Sequence, residues 1–434
     1  MKKFLTCLFV LLKGLSLFAA ENPRLLTIDD AVKLALENNI SIERNQITLR
    51  GLERAKNHSW NSVSPSISVG ASAGVPIDAL SDSESKYSAK IDLSASLSLS
   101  LTANLYTSVQ TAKLNYELGK LSFDDAVRSV ELSVRQTFYG LLYEKENISV
   151  QEKNLSTLRT QYSSNASKYN AGRLSEIDLL SSEVSYKNQI PTVESANTAY
   201  LNDLASFKQL LGLEQSAEIE LSGNLDEMIR LEEISLDGIE ISSSKIKNLE
   251  KKIEAGKNAV LSARFSAYAP SLNASVKFSD GSWYTGYDGT APDATKSTSL
   301  TLSASIPLDG ILPWSSKSDS IASAKDSLED YELQLKNVRT DLQLSVDSVL
   351  RSIKQSQSAI KSKQANVNLA QRSYNLTWNA YTHGTKDYLA VQTSLNSLLS
   401  AQLSLKNEIY NLIKSILSLE NTIGVKFGTF SAKK

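Results

Sequence analysis

The sequence predicts an α+β chain: two internal repeats, each with one β-hairpin and one long antiparallel α-helical coiled-coil hairpin. Three observations lead to it. From Ile321 the apolar positions step through Ala324, Leu328, Tyr331, Leu335, Val338 and Leu342, then through Ile360, Val367, Ala370 and Tyr374, the three-four spacing of a coiled-coil seam. Tyr381, Gly384 and Gly424 have twins 212 positions upstream at Tyr169, Gly172 and Gly212, so the design occurs twice. Between the helical stretches the hydrophobic period shortens to two in four short runs.

Met1-Lys2-Lys3 is followed by an apolar run to Leu12, an interrupting Lys13, and a stretch from Gly14 that ends in small residues at Ala20. Residues 1–20 therefore read as a secretory signal peptide, with the mature start near Glu21. The single cysteine, Cys7, lies inside it. The mature chain is expected to hold no disulfide, no thiolate metal site and no cysteine nucleophile. Without Lys2, Lys3 and Lys13 there remain 43 basic against 47 acidic side chains, a net of −4. No basic arm is present, so nucleic acid is not an expected partner. Past the signal no run of about eighteen apolar residues occurs, and no membrane-spanning helix is expected.

Repeat 1 covers 21–212 and repeat 2 covers 239–424; a linker at 213–238 joins them and a tail at 425–434 closes the chain. Thr27 is a helix N-cap, and the helix after it runs to about Trp60 with an interruption at Asn38-Asn39. Its counterpart runs from about Ile239 to Tyr268. The first β-hairpin, 65–104, alternates Ile67, Val69, Ala71, Ala73 and Val75 against Ser and Gly; its returning strand alternates Ile91, Leu93, Ala95, Leu97, Leu99 and Leu101 against Asp92 and serines. The second, 270–308, sets Leu272, Ala274, Val276 and Phe278, then Leu300, Leu302, Ala304 and Ile306, against polar residues. Pro65, Pro270 and Pro307 mark the borders of these strands. The hairpin tips, 78–88 and 279–297, are polar and read as exposed loops, the second carrying Trp283, Tyr284 and Tyr287.

A helix from Leu105 to Ala171 and another from Ser315 to Tyr381 each have 67 residues, about 100 Å at ~1.5 Å per residue. Return helices follow at 175–211 and 385–423, completing helical hairpins 105–212 and 315–424. Pro191 is expected to kink the first return helix.

The outer strand face is small and uncharged apart from Asp92 and Lys277, which suits a water-filled lumen better than a solvated sandwich surface. Four strands cannot close a membrane barrel, because ~8 is the practical minimum and lipid tolerates no open edge. Several chains must then share one barrel. Three would supply twelve strands, with their helical hairpins forming a hollow α-helical tunnel. The alternative is a secreted structural or adhesive coiled-coil stalk protein with the hairpins as its head.

This order of elements resembles the TolC family of outer-membrane efflux proteins across essentially the whole mature chain. Ala35-Leu36-Glu37-Asn38-Asn39, Ala269-Pro270-Ser271-Leu272, Ile306-Pro307-Leu308 and the two Tyr-x-x-Gly turns carry the resemblance. It implies a homotrimer with a twelve-stranded β-barrel in outer membrane lipid and a periplasmic tunnel. It also implies a periplasmic adaptor, an inner-membrane transporter, and export of small molecules or proteins by efflux or type I secretion. On the resemblance, the adaptor-contact turns are Tyr169, Ala171, Gly172 and Arg173, and Tyr381, His383, Gly384 and Thr385. Asp178, Lys386, Asp387 and Tyr388 lie at the periplasmic entrance, where a contact between Lys386 and Asp178 would hold it shut. Family members often carry acidic residues where this sequence has Ala390, Val391, Gln392 and Thr393. Ser175-x-x-Asp178 also matches a helix-capping arrangement.

Trp60, Tyr106 and Trp314 fall at helix-to-strand borders, and Trp283 and Tyr284 near the far end of the second β-hairpin, as membrane-interface aromatics would. An enzyme is not expected. His58 and His383 are the only histidines and stand in no metal-ligand spacing, and no phosphate loop or nucleophile elbow follows a strand. No cofactor is expected either.

Overall fold

The computed structural model describes residues 24–74, 88–228, 234, 236, 243–285 and 295–430. The signal segment, most of the first β-hairpin tip, the middle of the second tip with Tyr287, most of the linker from 229 onward and the last four residues lie outside them. In chain order the elements are β1 (Arg24–Leu26), α1 (Ile28–Asn38), α2 (Ile40–Asn57), β2 (Ser66–Gly74), β3 (Ser88–Thr102), α3 (Asn104–Asn170) and α4 (Glu176–Leu210). There follow β4 (Ile219–Leu221), α5 (Ser244–Tyr268), β5 (Ser271–Thr285), β6 (Thr295–Ser305), α6 (Ser316–Thr382) and α7 (Tyr388–Ile423). α3 and α6 are each 67 residues long and start and stop 212 residues apart. The duplication read in the glycines is thus also a duplication of helix boundaries.

The chain divides into two compact units, Met1–Asn45 with Asp124–Ser243 and Thr340–Lys434, and Gln46–Phe123 with Ser244–Arg339. In the first, Thr27 caps α1 by accepting the Asp30 amide at 3.3 Å. The break between α1 and α2 has a physical cause in Asn39. Its Oδ1 accepts the amide of Ser41 at 2.9 Å, starting α2, while its Nδ2 donates to the Leu210 carbonyl at 2.8 Å, closing the end of α4. The core of this unit gathers around α7, whose Leu405, Ile409, Leu412, Ile413, Ile416, Leu417 and Leu419 are buried. Phe138 and Phe207, also buried, meet edge-on with ring centroids 6.3 Å apart.

Two parts of the first unit were not anticipated. β1 and β4 pair in parallel, Leu25 opposite Glu220, which ties the chain start to the inter-repeat segment. The stretch after Gly424 folds back so that Phe427 and Phe430 are buried. Pro191 sits inside α4, which continues as helix from Glu176 to Leu210.

A half-buried glutamate beside an aspartate makes this unit pH-sensitive. Desolvation, and then a hydrogen bond to Asp203, raises Glu144 from 4.5 to about 7. Because the folded-state value lies above that of the free chain, folding takes up a proton. The resulting stabilisation is full below pH 4.5 and is lost as pH rises to about 7. Glu144→Gln is therefore expected to flatten this decline and to gain about 1 kcal/mol over wild type at pH 8, after discounting for solvent screening. Thermal unfolding at pH 5 and pH 8 checks both arms.

The second unit holds one four-stranded antiparallel sheet in the order β2-β3-β5-β6. Its register brings like faces together: Ile67 lies opposite Leu97, Leu97 opposite Val276, and Val276 opposite Leu300. One face is a continuous apolar layer that remains exposed in the single chain, Val69 at 80% and Leu302 at 74%. The other carries hydroxyls, bonded across strands as Ser66–Ser98 at 2.6 Å, Ser68–Ser96 at 2.7 Å and Ser271–Ser305 at 2.8 Å. β5 and β6 extend further than the expected tip loop of 279–297. Trp283 and Tyr284 are strand residues paired with Lys90 and Ala89, because pairing with β3 overrides the strand-breaking Asp280-Gly281.

Candidate functional site at the helical turns

The turns that end α3 and α6 are built alike. At the first, the amide of Gly172 donates to the Tyr169 carbonyl at 2.8 Å and that of Arg173 to the Lys168 carbonyl at 2.8 Å. At the second, Gly384 donates to Tyr381 at 3.0 Å and Thr385 to Ala380 at 2.9 Å. This paired closure needs a left-handed residue, and the glycines supply it with φ of 69° and 75°. Exposed side chains at the turns include Tyr169, Ala171, Arg173, His383, Thr385 and Lys386. His383 Nδ1 lies 2.7 Å from the Asn379 carbonyl and Thr385 Oγ1 donates to the Ala380 carbonyl at 2.9 Å, so both side chains help close the helix.

Each return helix starts on a side-chain cap. Ser175 Oγ accepts the Asp178 amide at 3.2 Å and donates to the Asp178 carboxylate at 2.8 Å. Asp387 accepts the Ala390 amide at 2.9 Å. The expected pairing of Lys386 with Asp178 is not formed within the chain: Asp178 is bonded at its own helix start, and Lys386 is exposed. Two further expectations are corrected. Tyr381, read as a partner-contact residue, and Tyr388, read as an entrance side chain, are buried with 7% and 1% exposure.

What buries them is a junction between the two repeats. Tyr381 donates to Asn165 Oδ1 at 2.7 Å, and Tyr388 to Gln161 Oε1 at 3.1 Å. Gln161 Nε2 donates to the Tyr374 hydroxyl at 3.1 Å, and Gln392 Nε2 to the Ser185 hydroxyl. Around these bonds Trp378 and Tyr381 approach with centroids 5.7 Å apart, Tyr381 and Tyr388 at 5.8 Å, and Val391 closes the cluster. Lys168 Nζ lies 4.6 Å from the centre of the Tyr381 ring.

Burial, reinforced by the neighbouring Asp178 charge, raises Tyr381; burial beside Tyr381 and Tyr374 pushes Tyr388 up to about 12. Both phenols therefore stay neutral donors across the physiological range. The repeats are held together here by uncharged hydrogen bonds between amides on α3 and phenols on α6 and α7. Gln161, Asn165 and Ser185 were not read from the sequence, since a search for apolar seams passes over polar residues at seam positions.

On the surface beside this junction, Ile177, Leu180 and Val184 form a ridge on the first turns of α4, exposed at 77%, 51% and 57%. Leu369, Leu376 and Leu389 are exposed likewise. Of the border aromatics, Trp60, Tyr106 and Trp314 are exposed at 64%, 58% and 82%. The side chains of Trp283 and Tyr284 lie outside the described residues.

Comparison with known proteins matches residues 31–213 and 239–425 to the family model described as outer membrane efflux protein. One matched stretch falls on each repeat. Among solved structures the fold is similar to CusC, with 14% identity, TM-score 0.73, 95% of this chain and 96% of that one covered. It is also similar to the Campylobacter jejuni CmeC outer membrane channel, with 19% identity, TM-score 0.73, and 94% and 90% covered. The Vibrio cholerae outer membrane protein VceC matches at 15% identity and TM-score 0.70, with 92% and 96% covered. No curated protein is found to match the sequence.

Proposed function

The chain belongs to the outer membrane efflux protein family, and from that premise we propose that three copies form an exit duct through the outer membrane with a helical tunnel in the periplasm. The duct passively passes small molecules or proteins received from an inner-membrane transporter through a periplasmic adaptor. The observation that carries this reading is the sheet. An apolar face with Ile67, Val69, Leu300 and Leu302 at 68–80% exposure is stable only against lipid or protein, while the opposite hydroxyl face suits water. β2 and β6 end the sheet, and lipid would require those edges to be paired by neighbouring chains. Twelve strands from three chains close such a barrel.

In this reading Trp60, Tyr106 and Trp314, with Trp283 and Tyr284 at the other end of the sheet, mark the two membrane interfaces. The glycine turns, with Arg173, His383, Thr385 and Lys386 outward, receive the adaptor. The entrance is held by the neutral amide–phenol junction in place of an acidic ring. Detergent-extracted protein reconstituted into planar bilayers should show discrete channel openings; heat-denatured protein and buffer should not. Absence of any conductance from correctly folded protein would contradict the duct.

The junction makes its own prediction. Each neutral bond contributes about 1 kcal/mol, so two bonds in each of three chains total about 6 kcal/mol against a concerted opening. The double variant Tyr381→Phe, Tyr388→Phe is expected to raise resting single-channel conductance several-fold. An unchanged conductance would show that the junction does not gate.

A further inference from the structure

The middle of the repeat 1 helical hairpin carries polar groups where a coiled coil ordinarily carries apolar ones. Asn147, Gln151, Asn154, Leu158, Gln161 and Asn165 follow the four-three seam spacing of α3, and five of the six are amides. Gln161 and Asn165 bond the tyrosines described above. The upper three do not find equivalent partners: Asn147 Oδ1, Gln151 Oε1 and Asn154 Oδ1 are buried without a hydrogen-bond partner in the chain, as is Gln189 Nε2 on α4. Asn154 Nδ2 donates to Gln189 Oε1 at 3.2 Å, and Glu144 meets Asp203 further along. These two contacts bracket the stretch on both helices.

The same stretch of α4 contains Pro191. Its ring nitrogen has no proton to give, which leaves the Lys187 carbonyl without its helical donor. Repeat 2 solves the same level differently. The positions 212 further on from Glu144, Asn147 and Gln151 are Ser356, Ala359 and Lys363. Lys363 is paired, with Glu408 at 2.7 Å and the Ser404 carbonyl at 3.3 Å. There is also no proline in α7.

We propose that residues 144–154 of α3 and 189–203 of α4 form a hydrated joint at which the repeat 1 helical hairpin yields, while the matching level of repeat 2 stays stiff. Buried amide atoms that lack protein partners are satisfied by water, each molecule making about three hydrogen bonds. Such bonds exchange one partner for another at little cost, so the helices can shift without exposing apolar surface. Pro191 removes the helical bond that would otherwise resist bending at the same place.

Hydrogen exchange of the full-length mature protein in detergent tests this directly. Amides at 187–193 are expected to exchange about tenfold or more faster than those at 399–405, the same level of repeat 2. The triple variant N147L/Q151L/N154L should slow exchange at 187–193 and raise the thermal midpoint, because leucines fill the seam without needing partners. Pro191→Ala, a milder change, should slow exchange at 187–191 by restoring the missing donor. Equal exchange in the two repeats would overturn the proposal. So would faster exchange or a lowered thermal midpoint in the folded leucine variant, or unchanged exchange in Pro191→Ala.

Discussion

Gly212→Ala is expected to cost the folded chain about 3 kcal/mol or more, through left-handed strain of ~1–2 kcal/mol and a backbone clash of ~1–3 kcal/mol. Gly212 ends α4 with φ of 70°. A Cβ placed there would lie 2.4 Å from the Asn38 carbonyl oxygen and 2.8 Å from its carbon, both backbone atoms that cannot rotate away. This is the point where the α1–α2 break, fixed by Asn39, abuts the end of α4. Gly384 is the control: φ is 75°, yet nothing lies within 4 Å of its added Cβ. Gly384→Ala should therefore carry only the strain, ~1–2 kcal/mol. Thermal unfolding of the two variants followed by circular dichroism measures the difference. Equal losses would mean that the Asn38–Gly212 contact relaxes freely.

Glu420→Ala should produce a loss of similar size, about 3 to 5 kcal/mol, by leaving buried donors unpaired. Glu420 has no exposed surface and accepts the amides of Phe430 at 2.8 Å and Gly428 at 3.0 Å. Arg128 completes the clasp, donating to the carbonyls of Glu420 at 2.5 Å and Val425 at 2.7 Å and lying 4.7 Å from the Phe427 ring centre. Burial raises the Glu420 pKa, while the backbone donors pull it back down. The variant is expected to show a lowered thermal midpoint and protease cleavage after Gly424, with the helical turns at Gly172 and Gly384 uncut. A resistant tail in Glu420→Ala would show that Phe427 and Phe430 hold it by packing alone.

The long-range architecture was legible because two strong periodicities and a 212-residue repeat agree with each other. The boundaries of α3 and α6 fall within one residue of those read from the sequence, and their C-terminal ends are set where Gly172 and Gly384 take the left-handed turn. Other features were hidden for identifiable reasons. β1 and β4 have three residues each, too short for any period to register. The far end of β5 contains Asp280 and Gly281, whose local preferences oppose a strand that cross-strand pairing nonetheless imposes.

The candidate site was half visible. The glycine turns and the caps at Ser175 and Asp387 follow from local chemistry, so sequence reading located them. Tyr381 and Tyr388 were located at the second turn and the entrance but not as buried residues, because their burial depends on Asn165 and Gln161, more than two hundred residues away in sequence. Asp178 sits in the first turn of α4 and Lys386 just after the Gly384 turn, and they do not meet; Asp178 bonds the Ser175 cap instead. Long-range amide–phenol bonds leave no local signature. A polar residue at a seam position is the one available sign.

The central claim is that copies of this chain close a shared barrel and tunnel. Negative-stain imaging of the detergent-purified mature protein tests it most directly, scored for three-fold symmetry and a stem on the order of 100 Å, the length that 67-residue helices require at ~1.5 Å per residue. A hollow three-fold particle with such a stem is the predicted result. A solid or monomeric particle would contradict it.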